Sequence, residues 1–404
     1  MVVLGAILIQ LSLGAIYAWS VFTPSLVDQG WSKVNTQWVF AIGLASFAAF
    51  MVFAGKKLTT WGPQKLAWLG GIILGLGYLL AGLIGGASFW ALLVLIGLIG
   101  GAGIGFAYVV PIAVGMRWFP DKKGLITGLA VAGFGFGALL WVKLAGQWGN
   151  LIDNFGLSAT FMIYGIAFAI LVIVGGLWMK FPPAGWKPAG YETKDTVTKT
   201  TSENEFTSSE MLSKIQFYLI FLTFVFSAGA GLMSIGLMKL YPMEALQNAG
   251  MTAAQASAIA GTAMAVFFSL ANGLGRIIWG MLSDNLGRKN SIIIMTATQG
   301  IIVILFTFMA GNEILLYLGA TLIGFNFGGN FALFPTITAD TFGAKNVGQN
   351  YPFVFLAYGV GGILGPILGG KMGDLHNFPL AFTISGIAVL LGTILILIVR
   401  PAKK

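Results

Sequence analysis

Long apolar runs separated by short polar breaks dominate this chain. A helix needs ~20 predominantly apolar residues to cross a bilayer. Runs of about this length fall at 2–22, 36–55, 66–85, 89–115, 124–147, 158–179, 214–238, 253–279, 290–310, 313–337, 348–370 and 379–399. The pattern predicts an all-α membrane protein with twelve transmembrane helices. It divides into an N-terminal six-helix half (1–180), a polar linker (181–213) and a C-terminal six-helix half (214–404).

Basic residues are unevenly shared between alternate loops. One set of loops is rich in them and contains Lys56, Lys57, Lys65, Arg117, Lys122, Lys123, Arg288, Lys289 and Lys345. The opposite set contains only Lys33, Lys239 and Lys371. Because short loops rich in lysine and arginine stay in the cytoplasm, we expect the linker and both termini to be cytoplasmic. The first run lacks the flanks of a signal peptide, so we expect a true span that follows a short cytoplasmic leader.

Composition narrows the functional class. The chain is 57% hydrophobic and 9% charged, as expected of a polytopic membrane protein. Its net charge of +9 lies in short loops, which argues against nucleic-acid binding. There is no cysteine, and the sequence shows neither metal-ligand spacing nor a catalytic set of side chains within a span. We therefore expect neither an enzyme nor a bound metal or cofactor.

The two halves carry an internal repeat. Gly100, Gly105 and Pro111 recur 224 residues later as Gly324, Gly329 and Pro335. Gly124, Gly135 and Gly137 recur at the same offset as Gly348, Gly359 and Gly361. Gly55 and Gly62 recur 225 residues later as Gly280 and Gly287. Parallel six-helix repeats are typical of carriers that bind their substrate near the midplane and rock around it.

Arg276 carries the strongest chemical implication, because it lies in the middle of an apolar run. A guanidinium stays charged at physiological pH, and holding it at membrane depth costs at least ~2.5–3.5 kcal/mol. No carboxylate in the predicted spans is placed to neutralise it. The missing partner is therefore predicted to be an anionic substrate, held through two parallel hydrogen bonds. The alternative is that Arg276 extends to the headgroups near Asp284.

Other side chains in the runs are candidates for the same site. Asn272 lies one helical turn from Arg276 on the same face. Tyr17, Tyr108 and Tyr358 offer hydroxyl groups, and packing between helices is the alternative role for each. The remaining candidates are the intramembrane amides Asn326 and Asn330 and the aromatic residue Phe331, with Phe134 as a wall residue. Lys143 and the single histidine, His376, are expected to lie towards the outer side.

The segment 280–289 (GMLSDNLGRK) resembles the cytoplasmic loop motif of the major facilitator superfamily. Its first-half copy, 55–65 (GKKLTTWGPQK), lacks the acid. The resemblance implies the major facilitator fold and a cytoplasmic latch, in which Asp284 caps a neighbouring helix and pairs with basic residues. We assign Gly280, Asp284, Gly287 and Arg288 to this latch, together with the residues Arg117 and Asp121.

A narrower resemblance covers almost the whole chain. The segments 14–20 (GAIYAWS), 117–124 (RWFPDKKG) and 272–276 (NGLGR) are similar to the monocarboxylate transporter group, including its bacterial oxalate:formate antiporter-like branch. This resemblance implies transport of small carboxylates, with Arg276 as the counter-charge. Animal lactate/proton members carry an acid where Asn272 stands and a lysine in the first span, where this chain has no basic residue.

These departures shape the functional expectation. Oxalate exchangers would be expected to carry a second cation in the eleventh span, which here reads YPFVFLAYG at 351–359. We therefore expect a transporter of a monocarboxylate such as lactate or pyruvate, coupled to protons by symport, acting as a monomer in the bilayer of a bacterial inner membrane. A carboxylate exchanger of the oxalate:formate type and a non-transporting carboxylate sensor are the alternatives.

Overall fold

A computed structural model of the chain describes residues 1–85, 88–119, 123–146, 148–183, 186 and 205–402. Within these ranges it contains twelve helices that are long and apolar enough to cross a membrane, and no strand. We number them α1 (Val2–Val21), α2 (Val34–Trp61), α3 (Pro63–Ile84), α4 (Phe89–Trp118), α5 (Leu125–Ala145), α6 (Leu151–Gly176), α7 (Ile215–Leu237), α8 (Ala253–Leu286), α9 (Arg288–Met309), α10 (Glu313–Phe342), α11 (Val347–Asp374) and α12 (Phe378–Ile398). The all-α fold with twelve spans is confirmed. We call α1–α6 the first half and α7–α12 the second half.

Three helices continue well past the apolar runs that predicted them. The helices α2, α8 and α10 end at Trp61, Leu286 and Phe342, whereas their apolar runs end at 55, 279 and 337. Each helix stops at a glycine with positive φ, namely Gly62 (82°), Gly287 (84°) or Gly343 (97°). Glycine is the residue that adopts such φ values without steric strain. The helices therefore end where the backbone can turn, several residues after the hydrophobicity ends.

The internal repeat is visible in the backbone itself. Gly62 and Gly287 are equivalent positions in the repeat, and their φ/ψ values are 82/153° and 84/150°. Both residues end one helix and begin the next, so α2–α3 and α8–α9 are joined by the same turn. We call the end of the molecule that carries Gly287 and the segment 280–289 the latch end.

The two halves meet along two pairs of helices, α2 with α11 and α5 with α8. At the latch end, a methyl group added to Gly55 would lie 2.6 Å from the carbonyl oxygen of Gly348. At the opposite end, one added to Gly370 would lie 3.4 Å from Gln37. Close backbone approach at small residues is how helices associate where lipid gives no hydrophobic driving force. Because the halves touch at both ends, this is a closed conformation.

The predicted linker is described only near its two ends, and both ends contact the helices. Arg117 at the end of α4 lies over the ring of Phe181, with 3.8 Å from its Cζ to the ring centroid. On the other side, Phe206 is fully buried and its backbone N–H donates to the carbonyl of Phe342 at 2.9 Å. The side-chain amide of Asn350 donates to the carbonyl of Phe206 at 3.0 Å. Residues 205–207 thus pack on the second half.

Candidate functional site

Arg276 lies in the interior of the molecule and is fully buried. Its Nε donates to Oδ1 of Asn272 at 3.2 Å, and its Nη1 donates to the backbone carbonyl of Val131 on α5 at 3.1 Å. Its Nη2 has no hydrogen-bond partner among the described residues. The side chain therefore reaches across to the first half, and it does not extend towards the headgroups near Asp284.

Two phenyl rings face the guanidinium. Its Cζ lies 4.0 Å from the ring centroid of Phe331 on α10 and 5.2 Å from that of Phe134 on α5. The negative face of an aromatic ring attracts a cation, more strongly where water is excluded. Arg276 is thus surrounded by neutral groups from both halves, and no carboxylate of the described residues forms an ion pair with it.

The three candidate tyrosines lie around the same guanidinium. The hydroxyls of Tyr17 on α1 and Tyr358 on α11 are hydrogen-bonded at 2.9 Å, across the two halves. Tyr108 on α4 lies beside Arg276 and packs edge-on to Phe134, with ring centroids 5.4 Å apart. All three tyrosines are fully buried. The structure thus brings side chains from six different helices to one place near the middle of the fold.

Several buried donors in this cluster have spare hydrogen-bonding capacity. Within the described part of the chain, Nη2 of Arg276, Nδ2 of Asn272 and the hydroxyl of Tyr108 have no hydrogen-bond partner of ordinary geometry. A buried donor without a partner costs about 1–3 kcal/mol, and more when it is charged. A carboxylate oxygen is an acceptor that suits each of these donors. The arrangement is therefore chemically suited to a carboxylate.

Asn326 and Asn330 are given other partners. Nδ2 of Asn326 donates to the hydroxyl of Thr298 on α9 at 3.1 Å. Oδ1 of Asn330 accepts from the hydroxyl of Ser227 on α7 at 2.8 Å, and its Nδ2 donates to the carbonyl of Phe327 at 3.1 Å. These amides hold α10 to its neighbours inside the second half. These amides were candidates because an unpaired amide inside a membrane is energetically unfavourable. In the structure both amides form hydrogen bonds to neighbouring residues.

The latch residues come together at the latch end. Oδ1 of Asp284 lies 2.6 Å from Nη2 of Arg288, and its Oδ2 accepts from the backbone N–H of Leu125 in the first turn of α5 at 3.3 Å. A carboxylate at a helix N-terminus is stabilised by the helix dipole. Arg288 also contacts Asp340, with 3.1 Å between Nε and Oδ2. The latch thus ties α8 of the second half to α5 of the first.

The remaining latch residues are placed differently. Gly280 is buried within α8, and Gly287 supplies the turn that brings Arg288 back towards Asp284. Arg117 stacks on Phe181 instead and lines a cavity of about 440 Å³ at the latch end. Asp121 lies outside the described residues. Asp340 was not singled out by sequence reasoning, because an acid near a helix end gives no signal of its partner.

The cavity at the latch end lies between the halves and is distinct from the Arg276 cluster. Both halves contribute to its lining, which consists of Gly55, Leu58, Thr59, Ala113, Met116, Arg117, Ala344, Lys345, Val347, Gly348 and Gln349. At the far end of the molecule, Nδ1 of His376 lies 3.7 Å from a carboxylate oxygen of Glu244. Lys143 is buried near the end of α5 on that same side.

Comparison with known proteins agrees with this architecture. The sequence model of the Major Facilitator Superfamily matches residues 2–269 and 228–404. The chain is 28% identical to an MFS-type transporter of Escherichia coli, YhjX, over 89% of this chain and 85% of the relative. It is 27% identical to the oxalate:formate antiporter of Oxalobacter formigenes over 100% and 92%, and 26% identical to apicoplast pyruvate carrier 1 of Toxoplasma gondii over 82% and 68%.

Proposed function

The chain belongs to the Major Facilitator Superfamily, and on that premise we propose that it is a secondary active transporter of small monocarboxylates such as lactate or pyruvate. The superfamily is one of multi-pass membrane transporters, and the twelve spans fit that class. The finer proposal concerns the substrate and the coupling. The relatives described above include an oxalate:formate antiporter and a pyruvate carrier, which favours a small carboxylate as the substrate.

The observation that carries this proposal is the bonding state of Arg276. Two of its nitrogens are engaged by Asn272 and Val131, while the buried Nη2 makes no hydrogen bond of ordinary geometry to a described residue. A planar guanidinium binds a carboxylate through parallel hydrogen bonds. A substrate carboxylate could take Nη2 together with the bond now made to the Val131 carbonyl. The Tyr108 hydroxyl and the free amide nitrogen of Asn272 would then complete its hydrogen bonding.

The charge of the cluster favours one carboxylate over two. Arg276 is the one cation among the clustered residues, since Tyr351 and Tyr358 stand where a second cation would be expected in an oxalate exchanger. A second carboxylate would enter the cluster without a counter-charge, and burying an unpaired charge is costly. We therefore favour a monocarboxylate over oxalate.

Alternating access follows from the two pairs of contacting helices. Rocking of the halves would separate α2 from α11 and α5 from α8 at one end while keeping them in contact at the other. The Asp284 contact with α5 would have to break for the latch end to open. We propose that a proton accompanies the substrate, and that this proton does not reside on Arg276, since arginine does not titrate.

The basic loops support an orientation with the latch end in the cytoplasm. With that orientation both termini are cytoplasmic, and the bacterial inner membrane is the proposed location. The second candidate function is a carboxylate exchanger, which the match to an oxalate:formate antiporter favours. A non-transporting carboxylate sensor has no specific observation in its favour.

Uptake into proteoliposomes tests the proposal. Radiolabelled L-lactate, formate and oxalate are supplied to wild type, Arg276→Lys and the control Arg400→Lys, which changes an exposed arginine. An inward proton gradient is compared with preloaded counter-substrate. Lactate uptake that follows the proton gradient and is lost in Arg276→Lys alone supports the symporter. Uptake only against preloaded substrate indicates an exchanger, and full activity of Arg276→Lys would refute the role of Arg276.

A further inference from the structure

The contacts of Arg276 divide by the half that supplies them. Asn272 and Phe331 belong to the second half, like Arg276 itself. The carbonyl of Val131 and the ring of Phe134 come from α5 in the first half. Since the halves rock as bodies in this fold, contacts within the second half persist in every conformation. The contacts to Val131 and Phe134 form only when α5 closes on α8.

This division decides which contacts can influence movement between conformations. A contact of equal strength in two states changes neither their populations nor the barrier between them. Asn272 and Phe331 therefore contact the guanidinium in the open and the closed state alike, so closure neither makes nor breaks these contacts. Val131 and Phe134 favour the closed state specifically, because closure removes Arg276 from water and offers these two groups in exchange.

We propose that the Val131 carbonyl and the Phe134 ring stand in for the substrate carboxylate when the carrier closes without an anion. They allow the empty carrier to change its access side, and this step distinguishes net transport from obligatory exchange. The inference rests on the proposed function, and it assigns to Phe134 the role of a positioning residue that sets the coupling mode. A carbonyl dipole and an aromatic face are weaker partners than an anion. Empty return is accordingly slower than loaded return.

Phe134 is held in place for this role by its backbone. It lies between Gly133 and Gly135, and a methyl group on Gly135 would come 2.6 Å from the backbone nitrogen of Gly273 on α8. Gly14 of α1 lies against the carbonyl of Phe134 on its other side. The ring also packs edge-on to Tyr17, with centroids 5.0 Å apart. The segment around Phe134 can thus approach α8 closely enough for its ring to face Arg276.

The test compares Phe134→Leu with the control Phe331→Leu. Both variants remove a ring that faces Arg276, but only Phe134 belongs to the opposite half. In Phe134→Leu we expect the ratio of net lactate uptake to exchange against preloaded lactate to fall about ten- to thirtyfold, the value of one desolvated cation–π contact. In Phe331→Leu, net uptake and exchange should change together. Equal changes of both modes in Phe134→Leu would overturn the inference.

A second measurement needs no substrate. The chain has no cysteine, so fluorophores can be attached to Thr60→Cys and Asn290→Cys, exposed positions at the latch end of the two halves. Without carboxylate, Phe134→Leu should slow the exchange between short and long fluorophore distances, and the control should not. An unchanged rate overturns the inference. A third outcome is that Phe134→Leu slows this exchange but lactate changes the rate in neither wild type nor variant. That outcome supports the role of Phe134 and refutes lactate as the substrate.

Discussion

The hydroxyl groups of Tyr17 and Tyr358 lie 2.9 Å apart, and this hydrogen bond joins α1 of the first half directly to α11 of the second. Both side chains are fully buried, so neither hydroxyl can turn to bulk water in the closed conformation. The bond lies in the same aromatic cluster as Arg276, since Tyr17 contacts Phe134 and Tyr358 contacts Phe331. Arg276 and the contact between the halves are therefore part of one network.

Replacing either tyrosine by phenylalanine should weaken the closed conformation. Each single change leaves one buried hydroxyl without its partner, at a cost of about 1–3 kcal/mol. The double variant should cost clearly less than the sum of the two single changes, because no hydroxyl is then left unpaired. Thermal unfolding of wild type, the two single variants and the double variant would complete this double-mutant cycle. Tyr351→Phe is the matched control, since the described residues give its hydroxyl no partner, and additive single changes would argue against the bond.

The change Asn272→Asp should make transport depend on pH. A carboxylate at this position would take the bond now donated by Nε of Arg276 at 3.2 Å and would compete with the substrate. We expect KM for lactate to rise at least ~tenfold at neutral pH, because lactate must displace the ion pair between the new carboxylate and Arg276 in this variant. Lowering the pH protonates the new acid and frees the guanidinium, so KM should fall. Asn272→Ala carries no acid and should show no comparable recovery.

Neutralising Asp284 should loosen the latch end. Asp284→Asn weakens both the cap on α5 and the pair with Arg288, and this should shift the balance towards an open latch end by about two- to tenfold. Labelling of Ala113→Cys, at a buried position that lines the latch-end cavity, by an impermeant thiol reagent would report it. Asp340→Asn is the control, since it also removes a partner of Arg288 but lies within the second half. Equal labelling of the two variants would contradict a latch between the halves.

Removing the Phe206 side chain should release the end of the linker. The ring is fully buried and packs edge-on to Phe342, with centroids 5.7 Å apart. Phe206→Ala should weaken this local docking by about 3–5 kcal/mol, as for other buried phenylalanines, and should speed proteolysis near residue 206. Trp186→Ala changes a side chain that is 46% exposed and serves as the control. An unchanged cleavage rate in Phe206→Ala would show that the docking does not depend on this ring.

The sequence is most informative for residues whose chemistry restricts the partners that they can have. A guanidinium in an apolar run needs polar partners, and Arg276 has Asn272 beside it, as the position of Asn272 one helical turn away predicted. Sequence reasoning failed where the partner is the backbone or a ring, as with Val131 and with Arg117 on Phe181, because such partners leave no composition signal. Asn330 stood out in the sequence as an intramembrane amide, but its partner Ser227 lies on another helix and could not be identified from the sequence.

The contact of α5 with α8 includes two places where backbone lies directly against backbone. Gly128 lies against the carbonyl of Arg276, and a methyl group on Gly135 would come within 2.7 Å of the Cα of Gly273. A methyl group at Gly135 would thus keep α5 and α8 apart and prevent full closure. It would do so without changing any charge or any hydrogen bond. Full closure therefore depends on glycine at positions 128 and 135, and a single nucleotide change could abolish it. The variant Gly135→Ala offers a way to trap an open form.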